Sequence, residues 1–402
     1  MAFAYAFFHR VSPSVMYDHL MADFAASAAV VGNLAACYFY AYAAMQLPVG
    51  LMVDRWGARR LLISAVLTAA LGSLVFGLAS SLPLAYAARL LIGAGSGIVF
   101  VATLKLASLH LPPRRFALAT GLTMAVAMTG AVGGQAPLAA LVEAIGWRQA
   151  MYVGAGLGAA LALLIWLLAR PPSAPTAAAH SQSTGHSVGA ALRVVLGNPQ
   201  TWLAGLFSGL MSGPMLSFGV LWAVPYLMQV QGLGRAEAGA GASLMLVGWA
   251  FGAPGFGWLS DRVGRRKPVM LATAAATLLG WLALIGPETV PVGLALALIL
   301  LLGVTSSTMA LSFAVSRELN PPAHSGLATS FPNFTSMVAA AILQPFVGWL
   351  LDLGWDGRME AGARLFDVTA FRLAFLPYPI ITAIVLVATC FMAETYCRQR
   401  TA

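Results

Sequence analysis

The chain has 402 residues, of which 60% are hydrophobic and 9% are charged, and its formal net charge is +9. A water-soluble domain carries roughly 25% charged residues, so this composition excludes an ordinary soluble protein. The basic residues sit in short segments between apolar runs and form no basic patch with interleaved aromatic residues, so the positive charge does not indicate nucleic-acid binding.

Apolar runs of about 20 residues recur along the whole chain, which is the length that a helix needs to cross a bilayer. The runs are continuous rather than alternating, which favours helices over a membrane barrel. The predicted fold class is therefore an all-α membrane protein with twelve transmembrane helices. The predicted spans are 2–22, 28–52, 61–80, 83–107, 116–142, 149–169, 200–229, 238–258, 268–286, 290–315, 326–351 and 371–393.

The first span is the least regular, because it contains Pro13 and several ionisable residues. It leads straight into a segment with Pro13 and Asp18, which does not suit a cleavable signal peptide. If the N-terminus is cytoplasmic, 15 of the 22 Lys and Arg residues lie on the cytoplasmic side and five on the other side. This bias follows the positive-inside rule. We therefore predict a protein of a bacterial inner membrane with both termini in the cytoplasm.

The segment 171–199 contains PPSAPTAAAHSQSTGHS and no apolar run, so we predict a flexible cytoplasmic linker there. It divides the chain into an N-terminal bundle, 1–170, and a C-terminal bundle, 200–402, of six helices each. An internal repeat supports this division. The segment GLMVDRWGARR at 50–60 recurs as GWLSDRVGRRK at 257–267, and two Pro-Pro pairs recur at nearly the same offset.

These motifs resemble those of a known family. The segment at 50–60 resembles the loop signature of the major facilitator superfamily, and 257–267 resembles the degenerate copy in its second half. RLLIGAGSG at 89–97 is similar to the family's fourth-helix motif, and GWR at 146–148 to an element that opens its sixth helix. The resemblance covers essentially the whole chain. It implies the twelve-helix fold of the superfamily and secondary active transport by alternating access.

Some stretches are similar to particular branches of the family. FHRVSPSV at 8–15 resembles the first helix of organic-anion/cation symporters. LWAVPY at 221–226 and NPPAHSG at 320–326 resemble phagosomal-type amino-acid and nucleoside importers and lysosomal dipeptide transporters. Two features depart from the family pattern: position 58 is Ala where a basic residue is usual, and Pro137 follows the glycines of the fifth span. Drug-exporting branches usually have the reverse order, which counts against export.

The paired loop motifs predict a gate. Asp54 and Asp261 end long helices, and Gly57 and Gly264 allow a tight turn after them. A carboxylate there can accept hydrogen bonds from a neighbouring helix N-terminus or pair with an arginine. The alternative is that these loop charges only set the topology. For Arg89, in the fourth span, a helix-packing ion pair is the alternative. The gating candidates are Asp54, Arg55, Arg59, Arg89, Asp261, Arg262 and Arg265.

The first span also carries the candidate substrate and proton sites. A charge at bilayer depth costs at least about 2.5–3.5 kcal/mol, so Arg10 is expected to face a cavity or a partner. Its guanidinium can bind a substrate carboxylate in a bidentate way, and an intramolecular ion pair is the alternative. His9 titrates near neutral pH and is a candidate for both substrate binding and proton coupling. Asp18 is a second proton-coupling candidate. The alternative is that Asp18 has no such role and simply lies at the outer end of the span.

Further cavity candidates come from helical spacing. Tyr38 and Tyr42 are four residues apart, as are Trp222 and Tyr226, so each pair shares one helix face. Uncharged polar residues in or near the spans are further candidates, and they include Gln46, Gln135, Asn333 and Gln344. A pocket that mixes aromatic and polar groups suits a small polar solute. Interfacial anchoring and hydrogen bonding between helices are the alternatives.

We predict a transporter that imports a small organic solute together with protons, the solute being an organic acid, an amino acid or a dipeptide. The alternatives are a drug or metabolite exporter of the same fold and a non-transporting membrane receptor. The expected partners are the solute, protons and the lipid bilayer, and we expect a monomer that binds no nucleic acid. No phosphate-binding Walker loop and no metal-ligand spacing occur, so we expect no enzyme, cofactor or metal.

Overall fold

A computed structural model describes residues 1–46, 48–110, 113–169 and 188–400 of the protein. Within these ranges, side chains are not described at positions 50, 51, 54, 108–110, 113–121, 188–191 and 323.

The first span is a broken helix. It consists of α1 (Ala2–Val11), a 3₁₀ turn (Ser12–Met16) and α2 (Tyr17–Asp23). The break coincides with Pro13, which has no backbone N–H to continue the helix. In its place the hydroxyl of Ser12 donates to the carbonyl of His9 at 3.2 Å and that of Ser14 to Val11 at 2.8 Å. The freed carbonyls are thereby satisfied without water, which a bilayer cannot supply.

The remaining N-terminal helices are long and apolar, and two of the spans are interrupted. The third helix ends at Met45 and the fourth begins at Val49, and the seventh and eighth meet near Gln135. The helices are α3 (Ala28–Met45), α4 (Val49–Trp56), α5 (Ala58–Leu78), α6 (Leu82–His110), α7 (Pro113–Gly133), α8 (Ala136–Ile145) and α9 (Trp147–Leu168).

The C-terminal part contains interrupted spans as well. A π-helical turn (Phe218–Trp222) and a 3₁₀ turn (Ser307–Ala310) each separate two helices of one span. A short antiparallel hairpin, in which Met359 faces Arg364, precedes the last span. The elements are α10 (Val188–Gly197), α11 (Pro199–Ser217), α12 (Ala223–Gln229), α13 (Arg235–Val263), α14 (Lys267–Ile285), α15 (Val292–Ser306), α16 (Leu311–Glu318), α17 (Ser325–Leu353), β1 (Met359–Glu360), β2 (Ala363–Arg364), α18 (Val368–Phe375) and α19 (Pro377–Cys390).

In the described part of the chain, eleven helical segments are long and apolar enough to cross a membrane. They correspond to the second to twelfth predicted spans, and the broken first helix supplies the remaining one. The predicted linker differs from the structure, because its last part forms α10, where Val195 is buried and Trp202 donates to the carbonyl of Leu196 at 2.7 Å. The short apolar run around Val195 explains this helix. Residues 171–187 lie outside the described residues.

The helix connections define two ends of the molecule. We call the near face the end that carries residues 56–58, 263–267 and 390–400, and the far face the end that carries 23–28, 229–235 and 353–368. The helices before the linker, α1–α9, pack mainly on one another and are called the N-terminal half. The helices α11–α19 do the same and are called the C-terminal half.

The two halves meet most closely where α3 crosses α17. A Cβ atom added at Gly32 would lie 2.5 Å from the carbonyl oxygen of Gln344, and one at Gly348 would overlap the carbonyl of Ala28. Glycine at these positions lets the backbones approach, which is how membrane helices gain packing contacts without a hydrophobic driving force. The crossing lies toward the far face, because Ala28 begins α3 and Gly348 is near the end of α17.

We expect Gly348→Ala to destabilise the protein, because the new methyl group must displace the α3 backbone. Overpacking of this kind costs about 1–3 kcal/mol. The matched control is Gly255→Ala in the interior of α13, where nothing lies within 4 Å of an added Cβ. Thermal unfolding of both variants in detergent measures the difference. Equal melting temperatures would show that the α3–α17 crossing is not tightly packed.

Candidate functional site

A central cavity lies between the two halves and has a volume of about 420 Å³. Its walls come from α1, α3, α6 and α7 on one side and from α11, α13, α16 and α17 on the other. Phe3 and Thr329, which belong to the near-face ends of α1 and α17, are among the lining residues. The cavity therefore reaches toward the near face. Most of its wall is apolar and includes the methionines Met124, Met128, Met215, Met309 and Met337.

Arg10 is the charged residue of this cavity in the described part of the chain. Its guanidinium carbon lies 4.1 Å from the centre of the Phe7 ring, 5.3 Å from Tyr42 and 5.5 Å from Tyr38. Cation–π contacts stabilise a desolvated cation by about 2 kcal/mol or more. The aromatic rings thus offset part of the cost of burying the charge.

No described carboxylate pairs with Arg10, although the residue is only 6% exposed. Its Nε atom is buried and has no hydrogen-bond partner in the described structure. A buried charge without a counterion is costly, so the site favours an anion from outside. The structure places Arg10 at a cavity, as expected. Among the described residues, Arg10 forms no intramolecular ion pair, which was the alternative.

The other polar groups of the cavity are uncharged. Tyr42 and Gln46 lie beside Arg10 on the N-terminal side, and Asn333 faces the cavity from α17. The Gln46 amide donates to the carbonyl of Gly97 at 3.4 Å, a weak hydrogen bond. Thr329 and Ser330 donate to carbonyls one turn earlier in α17 and keep their lone pairs available. These groups can orient a polar substituent of a bound solute.

Tyr38 lies behind the cavity wall. It is fully buried, stacks on Tyr42 with ring centres 5.9 Å apart, and donates from its hydroxyl to the carbonyl of Ala6 at 3.2 Å. The side chain therefore supports Arg10 and Tyr42 and does not line the cavity. The predicted substrate contact of Tyr38 would be indirect in this conformation.

His9 points away from the cavity, into the packing between α1, α5 and α9. Its ring lies edge-on to Tyr5 and Phe8, at centroid distances of 4.6 and 5.1 Å. Both imidazole nitrogens are buried without a hydrogen-bond partner in the described structure. The structure therefore does not bring His9 into contact with the cavity that Arg10 lines.

Arg89 is also buried, and it holds three segments together. Its guanidinium donates to the carbonyl of His9 at 2.9 Å and, more weakly, to Leu34 and Ala35 at 3.4 Å. It thereby ties α6 to α1 and α3. Arg89 therefore packs helices together, as the alternative to a gating role proposed. Its partners in the described structure are carbonyl groups and not the acid of an ion pair.

Three predicted substrate residues lie outside the central cavity, on its far-face side. The amide of Gln135 accepts from Ser14 at 3.1 Å and donates to the carbonyl of Gly219 at 3.2 Å, which links the two halves. Trp222 is fully buried and donates to the carbonyl of Gln344 at 3.2 Å. Tyr226 lines a separate far-face pocket of about 300 Å³. Gln135 and Trp222 therefore seal the cavity in this conformation. The π-helical turn supplies two residues of this layer, Trp222 itself and Gly219, whose carbonyl accepts from Gln135.

Asp18 forms an ion pair that joins the two halves at the far face. Its carboxylate binds Arg235 at 2.6 and 2.7 Å through two guanidinium nitrogens. Arg235 also donates to the carbonyl of Val15 at 2.7 Å. The bidentate geometry makes this one of the stronger kinds of ion pair. The predicted position of Asp18 at the outer end of the first span agrees with this contact.

A second far-face link uses a helix end. The carboxylate of Asp352, near the end of α17, accepts from the backbone N–H groups of Ala28 at 2.9 Å and Ala29 at 2.8 Å. Arg364 binds the same carboxylate at 2.9 Å. An acidic group at a helix N-terminus satisfies unpaired N–H donors and favours the helix dipole. Together with the Asp18–Arg235 pair, this contact closes the far face.

The near face carries a buried charge network within the C-terminal half. Arg266 binds Asp261 at 2.6 Å and Glu318 at 2.9 Å. Burial alone would lower the pKa of Arg266, but the hydrogen bond to Glu318 and its negative charge outweigh burial and hold that pKa above its ordinary value. Glu394 accepts from the backbone N–H groups of Arg266 and Lys267 at 2.9 and 3.1 Å, which caps α14.

The other gating candidates make looser contacts. Arg55 is exposed, and Arg59 donates to the carbonyl of Trp166 within the N-terminal half. Arg262 lies 5.3 Å from the ring of Trp258. The remaining candidates are Arg265, whose guanidinium lies 5.8 Å from the Tyr396 ring, and Asp54, whose side chain lies outside the described residues.

Sequence reasoning missed several residues that the structure brings into these sites. Arg235, Asp352 and Glu318 were not singled out, because nothing local marks which loop acid meets which arginine. Arg266 belongs to the repeated motif but is not among the predicted gating residues. The sequence did carry one signal of the apolar cavity wall: Met124 and Met128 are four residues apart and therefore share a helix face.

Residues 1–234 and 214–396 match the Major Facilitator Superfamily. The chain belongs to the major facilitator superfamily. The probable sulfoacetate transporter SauU of Cupriavidus necator is 25% identical over 310 residues, which cover 74% of this chain and 72% of SauU. The drug efflux pump JefA of Mycobacterium tuberculosis is 34% identical over 132 residues, which cover 33% of this chain and 25% of JefA.

The fold is shared with a solved bacterial homologue of the human lysosomal transporter Spinster, in an inward-facing and occupied conformation. The TM-score is 0.80 at 17% identity, over 97% of this chain and 94% of the homologue. The prediction of the superfamily and of its fold is confirmed. The protein is a secondary transporter of this superfamily, integral to a membrane and acting on small solutes.

We expect Asp18→Asn to loosen the far face of this transporter, because it removes the charge of a link between the halves. The readout is Ser14→Cys, in a background without native cysteines, labelled from the far face by a membrane-impermeant maleimide. The rate at which the maleimide labels position 14 should rise several-fold in Asp18→Asn. Asp23→Asn is the control, since Asp23 pairs at 3.1 Å with Arg148 of the same half. Equal labelling rates in both variants would contradict a role of Asp18 in closure.

We expect Glu318→Gln to lower the stability of the transporter strongly, because it leaves the buried Arg266 without its main counterion. Breaking a buried pair costs about 3–5 kcal/mol. Asp356→Asn is the control, because the Asp356–Arg358 pair is about half exposed and the solvent screens such a pair. Thermal unfolding compares the two. A small change for Glu318→Gln would mean that the network does not stabilise this end of the C-terminal half.

Proposed function

We propose that this transporter imports a small organic anion that carries a carboxylate or a similar oxyanion. The observation that supports this proposal is Arg10, a buried cation in the central cavity with no carboxylate partner among the described residues. Guanidinium binds carboxylates through two parallel hydrogen bonds, and a solute anion would supply the missing counter-charge. The similarity to SauU, a probable sulfoacetate transporter, agrees with an anionic solute.

We further propose that the transporter is a monomer in a bacterial inner membrane, with the near face in the cytoplasm. The excess of Lys and Arg on the near-face loops supports this orientation. The conformation would then be inward-facing, with the far face closed by Asp18–Arg235 and Asp352. Import would require these two links to break, so that the cavity opens to the far face.

Proton coupling is part of the same proposal. His9 is adjacent to Arg10 in the chain, and its carbonyl accepts from Arg89. Its unpartnered imidazole can take up a proton only if water or a moving side chain reaches it. Protonation of Asp18 would weaken the Asp18–Arg235 pair and favour opening of the far face. Both residues are therefore the candidates for coupling.

Export of a drug or metabolite is the second candidate function. It is supported by the similarity to the efflux pump JefA, which covers a third of this chain. Increased drug resistance of cells that overproduce the protein, without uptake of any carboxylate, would favour export over import.

We expect Arg10→Ala to reduce uptake of the transported carboxylate at least about tenfold, because hydrogen bonds between charged groups contribute about 1.5–3 kcal/mol. Arg10→Lys should keep part of the activity, since it preserves the charge and loses the bidentate geometry. Uptake into proteoliposomes from a panel of radiolabelled carboxylates, with and without a proton gradient, measures both variants. Arg398→Ala, an exposed position, is the control.

If Arg10→Ala takes up every carboxylate of the panel like the wild type, the anion assignment is wrong. If uptake depends on Arg10 and is insensitive to an uncoupler, the anion site stands and proton coupling is wrong.

A further inference from the structure

A second space lies beside the central cavity. A groove of about 770 Å³ lies between α7 and α13, and it is lined almost entirely by apolar side chains. Four residues, Met124, Met128, Trp249 and Phe313, line both the groove and the central cavity. The groove therefore adjoins the cavity that Arg10 lines, and these four side chains lie between the two spaces.

The groove also borders the lipid. Phe251 lines it and is 74% exposed, and Ala125 on the opposite wall is exposed as well. In a membrane these surfaces contact acyl chains rather than water. An apolar part of a bound solute that displaces the flexible side chains of Met124 and Met128 could thus extend from the cavity into the groove and remain among apolar groups.

The described residues of the cavity and the groove carry charge of one sign only. Arg10 is a cation, and no described residue that lines the cavity or the groove is acidic. An amino acid or peptide brings an ammonium group as well as a carboxylate, and that ammonium would be desolvated without a counter-charge. The described lining therefore matches a solute with a single negative group and no cation.

The apolar wall matches the rest of such a solute. Five methionines line the cavity, and methionine side chains adapt to apolar ligands of different shape. The polar groups are few, and they lie near Arg10, on α17 and at Ser212 of α11. A small hydrophilic anion would fill the end of the site near Arg10 and leave the remaining apolar volume without contacts.

We infer that the solute is an amphipathic monoanion, whose acidic head binds Arg10 and whose apolar tail extends toward the groove between α7 and α13. This inference rests on the proposed anion transport and narrows its substrate class. It excludes the amino acids and dipeptides that the sequence left open. Membrane lipid is the other possible occupant of the groove, and the experiment distinguishes it from the tail of the solute.

The first test compares ligands that differ in one group. Octanoate, 2-aminooctanoate and acetate are titrated by calorimetry into the purified transporter in lipid nanodiscs, and the heats of empty nanodiscs are subtracted. Octanoate should bind at least about tenfold more tightly than 2-aminooctanoate, which adds only the ammonium. The affinity for octanoate should exceed that for acetate by a similar or larger factor, because each buried methylene group adds affinity. Arg10→Ala should abolish the binding of octanoate.

The second test fills the groove. Ala253→Trp places an indole in the groove from α13, and Ala125→Trp does so from α7. Each should weaken octanoate binding about tenfold and leave acetate binding unchanged. Ala160→Trp, at an exposed alanine of α9, is the control for a tryptophan on the lipid-facing surface. Two variants on opposite walls keep the test informative if one of them does not fold.

The outcomes separate the inference from the proposed function. If acetate or 2-aminooctanoate binds as tightly as octanoate and all binding requires Arg10, anion transport stands and the amphipathic monoanion is wrong. If octanoate binding is unchanged in Arg10→Ala, the anion site itself is wrong. If octanoate binding requires Arg10 and neither groove variant affects it, the groove holds lipid and the tail position is wrong.

Discussion

A charge inside a membrane protein has no water to solvate it, and much of this transporter follows from how that constraint is met at Arg10. The guanidinium is enclosed by aromatic rings that compensate its charge only in part. Elsewhere the chain pairs its buried charges, as in Arg266–Glu318, or gives them carbonyl acceptors, as for Arg89. Among the described residues, Arg10 has neither kind of partner and has beside it only the aromatic side chains, with the hydroxyl groups of Tyr38 and Tyr42; it lies at the cavity. The contrast is why we place the anion there.

The position of Arg10 depends on the packing around it. Arg89 holds the backbone of α1 through the carbonyl of His9, and Tyr38 holds it through the carbonyl of Ala6. The helix break at Pro13 comes directly after this segment of α1, and serine hydroxyls satisfy the carbonyls that the break frees. These contacts position the first helix within the N-terminal half while the C-terminal half supplies the opposite wall. A solute bound to Arg10 would therefore contact both halves.

The two faces of the transporter are organised differently. At the far face, charged contacts run between the halves, from Asp18 to Arg235 and from Asp352 to the start of α3. At the near face, the described network of Asp261, Arg266 and Glu318 stays inside the C-terminal half. Such a network stiffens one half without joining it to the other. This arrangement lets the near-face ends separate while the far-face ends remain together, as alternating access requires.

The sequence by itself determined the membrane location, the long apolar helices and the superfamily, because these depend on local hydrophobicity and on motifs that are contiguous in the chain. It also identified Arg10, since a charge within an apolar run is conspicuous. It could not decide that His9, one residue away, turns away from the cavity, because a one-residue step rotates a helical side chain by about 100° and only packing shows which face meets the cavity. It could not place Trp222 in the seal, since the π-helical turn changes the helix phase there. Nor could it place Gln135 there, since its acceptor Gly219 is 84 residues away in the chain. The contacts of Asp18 with Arg235, of Asp352 with the start of α3 and of Arg266 with Glu318 were decided by the tertiary structure alone. Each of them joins segments that are distant in the chain and adjacent only after the helices pack.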